Sequence, residues 1–142
     1  MKTKTLIISL CLIFGIALSQ AEAQSSKSRV DQGWTTGTYW SPVFCGDELV
    51  DFLRGGSIRV HYVVHYTKDG AYNFEIDQIK GEVTSITGET FRIRETDRIY
   101  FTDYWYVTWK YNLIGDMGTH YIGTLTLNYG TRELTVVNTV CK

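Results

Sequence analysis

From Gly46 to the C-terminus, apolar side chains recur at every second position, and glycine-bearing turns interrupt them. Period two belongs to a strand with one buried face, whereas a helix repeats at 3.6. The clearest stretch runs from Ser57 to Thr67. Ile58, Val60, Tyr62, Val64 and Tyr66 share one face. Ser57, Arg59, His61, His65 and Thr67 share the other, with Val63 as the exception. Asp69-Gly70 follows, a dipeptide that suits the positive φ angles of a tight hairpin turn.

The return strand is expected to turn Tyr72, Phe74 and Ile76 inward and Asn73, Glu75 and Asp77 outward. A one-residue slip at Gln78-Ile79, beside Gly81, predicts a β-bulge there. After the Thr87-Gly88-Glu89 turn, Phe91, Ile93, Ile99 and Phe101 share odd positions with Glu95 and Asp97. Either that strand breaks at Thr96, or two carboxylates point inward. Tyr104 to Ile114 sets Trp105, Val107, Trp109, Tyr111 and Leu113 on one face. The next inner face holds Tyr121, Leu125, Leu127 and Tyr129, with Gly123 among them. Leu134, Val136 and Val140 close the chain, with Cys141 expected on the opposite face. A short strand around Glu48 to Leu53 completes the set.

The expected fold is therefore all-β, an antiparallel meander of seven to eight strands with no helix. Closure into a lipocalin-like or similar barrel is expected, because closure removes exposed strand edges. The alternative is a two-sheet β-sandwich.

The N-terminus reads differently. Lys2 and Lys4 precede an apolar run from Leu6 to Leu18, and Ala21-Glu22-Ala23 follows. That order predicts a signal peptide over residues 1–23 and a secreted or periplasmic protein. The run is shorter than the roughly 20 residues a spanning helix needs, so no membrane span is expected after cleavage. Cys11 falls inside the leader. Residues 24–43 are expected to form a flexible arm and lead-in, and residues 44–142 a single β domain. Export into an oxidising compartment predicts a disulfide between Cys45 and Cys141. The chain past the leader is slightly acidic and lacks the basic footprint of a nucleic-acid binder.

Four segments carry a resemblance. They are Phe44-Cys45-Gly46-Asp47-Glu48, Val60-His61-Tyr62-Val63-Val64-His65, Thr87-Gly88-Glu89 and Thr135-Val136-Val137-Asn138-Thr139-Val140-Cys141. Together they resemble a group of small secreted bacterial all-β proteins of unknown function, over residues 44–142. The resemblance implies export and a β fold. It brings no activity, and no residue inherits a catalytic role from it.

The chemistry-bearing residues are few. His61 and His65 lie four apart on a strand, about 13 Å, too far to share one metal. No metal or cofactor site is expected. Glu75 and Asp77 are about 6 to 7 Å apart along their strand, and a solvated face accounts for them. Glu95 and Asp97 carry more weight, because an acid among apolar neighbours needs a partner or shifts its pKa. No G-x-S-x-G elbow and no phosphate-binding loop is present. The aromatic stripe of Trp105, Trp109, Tyr111, Tyr121 and Tyr129 is the richest feature, and a barrel of about eight strands can hold one small ligand. The expected function is binding of a small apolar or amphipathic ligand by Trp105, Trp109, Tyr111, Tyr121, Glu95 and Asp97. The alternatives are a cavity enzyme of the isomerase or cyclase type, and a secreted interaction protein with a packed core.

Overall fold

The computed structural model describes residues 28–101 and 105–142. The expected leader with Cys11 and the first part of the expected flexible arm, residues 1–27, lie outside the described residues, as does Tyr104. Seven strands form one antiparallel sheet in chain order. They are β1 (Val30–Cys45), β2 (Glu48–Tyr66), β3 (Tyr72–Thr84), β4 (Thr90–Tyr100), β5 (Tyr106–Gly115), β6 (His120–Asn128) and β7 (Glu133–Cys141). The described residues contain no helix. The expected Glu48–Leu53 strand is not separate but the first part of β2. Residues 30–43, read from sequence as lead-in, form most of β1, so the sheet begins at Val30. Their Thr, Val and aromatic side chains suit a pleated surface.

β1 and β2 outrun the rest of the sheet. β2 pairs with β3 only from Ser57 onward, and its earlier residues pair with β1 alone. The change falls at a corner. In β1 the register shifts between Gly37 and Tyr39. Opposite, Gly55 and Gly56 have φ of 101° and 64°, a region L-residues rarely enter. A Cβ on Gly56 would strike the Glu82 carbonyl. The two-stranded arm beyond this corner folds across one face of the sheet. It delivers Tyr39, Val43 and Leu53 into a core with Ile58, Ile79, Val83, Phe91, Ile93, Tyr111, Leu113 and Leu125. Each fully buried side chain of this size contributes about 1.5 to 3 kcal/mol.

The expected barrel is not formed, because the sheet does not close. Strand pairing ends at β1 and β7, and no ladder joins the two among the described residues. The arm bends β1 over the sheet instead of beside β7. The edges are pinned at one end only. Cys45 and Cys141 form a disulfide with Cα atoms 5.9 Å apart. The Gly46 amide donates to Thr139 Oγ1 at 2.6 Å, and the Phe44 amide to the Tyr111 hydroxyl at 3.3 Å. An open sheet with a sandwich-like overlay at its arm describes the molecule.

Two faces follow from the registers. The inner face runs through Ile58, Val60, Tyr62 and Val64 on β2 and through Gly81, Ile79, Asp77 and Glu75 opposite them on β3. It continues through Ile93, Glu95, Asp97 and Ile99 on β4, then Leu113, Tyr111, Trp109 and Val107 on β5. The expected bulge at Gln78-Ile79 does not exist, since β3 keeps one register with both neighbours from Phe74 to Glu82. Glu75 and Asp77 therefore face inward, and Phe74 and Ile76 outward, the reverse of the expectation. A register shift between Thr124 and Leu125, opposite β7, puts Cys141 on the inner row with Tyr121 and leaves Val140 exposed.

Candidate functional site

Period-two alternation carries four carboxylates onto the inner face of β3 and β4. Asp77 lies directly opposite Asp97, Glu75 opposite Ile99 and Glu95 opposite Ile79. Glu95 is 5% exposed and Asp97 9%. β4 is unbroken at Thr96, so of the two expected arrangements the inward-pointing carboxylates are the one that forms. The Tyr39 hydroxyl, brought over by the arm, donates to Glu95 Oε2 at 2.5 Å. Buried Oδ1 atoms of both Asp77 and Asp97 have no hydrogen-bond partner. Buried polar atoms almost always find one, so two orphans side by side need a reason.

The electrostatics explain how the cluster persists. From Ser57 onward, every Lys and Arg of β2 to β5 projects from the outer face, and the inner rows hold no cation. Burial raises Asp97 most, to about 9, and the negative neighbours Glu95 and Asp77 add to it. Burial likewise raises Glu95 to about 7, held back by hydrogen bonds from Tyr39 and Asp97. Asp77 is half-buried and also rises to about 7, through desolvation first and the charge of Glu75 second. The Tyr39 phenol is pushed far up by burial and by Glu95, so it stays a donor.

Val64 and Val107 are buried yet lie outside the main core cluster. With Ile99 and Leu127, both half-buried, they continue the inner rows past the Asp77–Asp97 pair. Tyr62 and Trp109 flank the Asp77–Asp97 pair on β2 and β5. An apolar stretch of the inner rows thus adjoins the carboxylates.

The other expected site residues separate. Trp109 stands in this row, half-buried. Tyr111 is buried and lies over Gly123, where a Cβ would collide with its phenol. Its hydroxyl engages the Phe44 backbone, so it serves the seam. Tyr121 stacks on Phe91 at 5.6 Å, beyond the carboxylates. Trp105 is 55% exposed, packs edge-on to Phe101 and is not in the row. Tyr129 is exposed as well.

Sequence reasoning misses Tyr39, Tyr62 and the pair Glu75 and Asp77. Tyr39 is hidden because its contact depends on an arm folding over 56 residues of chain. Glu75 and Asp77 are in plain view: Glu75, Asp77, Ile79, Gly81 and Val83 are all odd, and no slip is needed. The histidines make no cluster. His61 packs on Trp34, His65 stacks on Phe74, and His120 bonds Asn112 at 2.7 Å. No group of three metal-ligating side chains exists among the described residues. Grooves of about 670, 610 and 370 Å³ follow the outer face, lined by side chains such as Lys80, Glu82, Arg92, Arg94 and Asn112. Comparison with protein-family models, curated proteins and solved structures found no match.

Proposed function

We propose that the chain is an exported binding domain whose inner face takes a small amphipathic ligand carrying a cationic group. The observation that carries this reading is the pair of buried, unpartnered oxygens on Asp77 and Asp97, on inner rows without a single basic residue. A ligand ammonium supplies both the missing donors and the missing charge. Its apolar part would lie on Val64, Ile99, Val107 and Leu127, against Trp109. Export is supported by the leader pattern of residues 1–23 and by the disulfide.

Dodecylamine, dodecanol and dodecanoate separate charge recognition from apolar binding. The amine should bind and quench a tryptophan signal that Trp109→Phe removes. The alcohol should bind more weakly and the carboxylate not at all, and Asp97→Asn should abolish the preference. Equal binding of dodecanoate and dodecylamine overturns the proposal.

One observation favours the isomerase or cyclase reading. Glu95 titrates near neutrality beside a phenol that holds its proton, which suits general acid–base catalysis. On that reading Glu95→Gln abolishes conversion of a molecule co-purified from the host while leaving its retention intact. Unchanged conversion in that variant removes the reading.

A further inference from the structure

The alternation that turns acids inward turns cations outward. Arg59, Lys80 and Arg94 occupy one cross-strand row, each directly opposite the next. Arg92 and Arg98 lie before and after Arg94 on the same face of β4, and Lys110 stands beside Thr96 on β5. Six cations thus share the outer face of β2 to β5 from Ser57 onward. Glu82 is the one acid on these rows, and Asp116 lies in the loop at their end. Like charges placed directly opposite on a sheet repel. No salt bridge relieves them: among the described residues the ion pair is Arg29–Asp31, elsewhere. Arg59 lies over the Trp34 ring at 4.9 Å, and the others have no such partner among the described residues. The row therefore opposes folding, and a partner of opposite charge would balance it.

The layout indicates the partner's shape. Arg92, Arg94 and Arg98 form a track along β4 of about 20 Å at 3.3 Å per residue. Lys80 and Lys110 flank it, and the grooves of about 670 and 610 Å³ run between these side chains. The spaces between charges hold hydrogen-bonding groups, namely Gln78, Thr96 and Asn112. At the end beyond Arg98, rings meet across three strands: Phe74 lies tilted against Tyr100 at 6.2 Å, and Tyr100 stacks on Tyr106 at 4.5 Å. We infer that the outer face of β2 to β5 binds a linear acidic polysaccharide lying along β4, its anionic groups on the cation track and a sugar ring against Tyr100 and Tyr106. A membrane surface fits less well, because no exposed aliphatic side chain stands on the strands β3 to β5 to anchor it. Duplex nucleic acid fits less well, because the cations lie in rows on a sheet face and no helix among the described residues is there to enter a groove.

The test uses the full exported chain and four probes: polygalacturonate, uncharged dextran, vesicles containing phosphatidylglycerol, and duplex DNA. Polygalacturonate should retard the protein in affinity electrophoresis and dextran should not. Lys80→Gln and Arg94→Gln should each weaken binding by about fivefold, and Glu82→Gln should strengthen it, the scale of one exposed ion pair. Tyr100→Ala should weaken binding without changing its salt dependence. Thermal melting confirms folding of each variant, and Glu82→Gln carries the test where a cation variant fails to fold. Equal retardation by dextran, unchanged binding in both Lys80→Gln and Arg94→Gln, or Glu82→Gln binding no tighter than the parent overturns the inference. So does binding to vesicles or DNA without binding to polygalacturonate.

Discussion

Asp97 has a carboxylate at each hand, Asp77 across the strand and Glu95 two residues away, and no cation on its face. Burial first, and these negative neighbours after it, hold its proton more tightly in the folded chain than in the unfolded one. The same is true of Glu95 and Asp77, which titrate at about 7 when folded and at about 4 when unfolded. Between those values the native state binds more protons than the unfolded state, so stability falls as pH rises. Thermal melts at pH 5, 7 and 9 should show the midpoint dropping throughout, and a midpoint that climbs with pH contradicts the cluster. Asp97→Asn cannot ionise, so its profile should be flatter and the variant more stable than the parent at pH 9. Tyr39→Phe makes the complementary point. It removes the phenol donor from buried Glu95 and should cost about 1 to 3 kcal/mol in urea denaturation, the usual penalty for a buried hydrogen bond lost on one side.

The corner in the β1–β2 hairpin turns a flat meander into a molecule with an interior. Two glycines make it, for different reasons. Gly55 needs only its positive φ, with open space where a Cβ would go. Gly56 needs both its φ and its lack of a side chain, because the Glu82 carbonyl fills that space. Gly55→Ala should cost about 1 to 3 kcal/mol, and Gly56→Ala distinctly more. Urea midpoints of the two variants check the order, and equal costs would mean the Glu82 contact is unimportant. This corner also marks where the sequence stops being readable. Alternation within Ser57–Tyr66 and Tyr106–Leu113 follows local pattern, and the structure keeps it. From Trp34 to Pro42 the local pattern fails, because Trp34, Tyr39 and Trp40 interleave with Thr and Gly. Of those three rings only Tyr39 is buried, and the distant strand β4 supplies its partner. The inward acids of β3 escape a sequence reading for a related reason. A carboxylate pair on a buried row breaks the usual sorting by polarity, so a slip in phase looks easier than charges inside.

At the scale of the whole molecule, the disulfide stands where a barrel has its closing ladder. Cys45 ends β1 and Cys141 ends β7, at a sequence separation of 96. On the chain-entropy model, cross-linking so long a loop contributes about 4 to 5 kcal/mol. The other ties across that seam are the Gly46–Thr139 bond and the Tyr111 contacts with Phe44. With the bond reduced, the arm is held by those hydrogen bonds, by the Tyr39–Glu95 bond and by the apolar packing of Tyr39, Val43 and Leu53. Strands β3 to β5, and β2 from Ser57 onward, are paired on both sides and do not depend on it. Hydrogen exchange should therefore respond unevenly to reduction. Amides of residues 39–53 and 133–141 should lose protection together, while those of residues 90–100 and 106–115 keep it. Loss spread evenly over all seven strands would mean that the sheet and its arm unfold as one unit. Because the arm roofs Glu95, the reduced protein should also lose the acid-side stability of the carboxylates. Its melting profile would then lie flatter between pH 5 and 9 than that of the oxidised protein, and a profile of unchanged slope would separate the seam from the cluster.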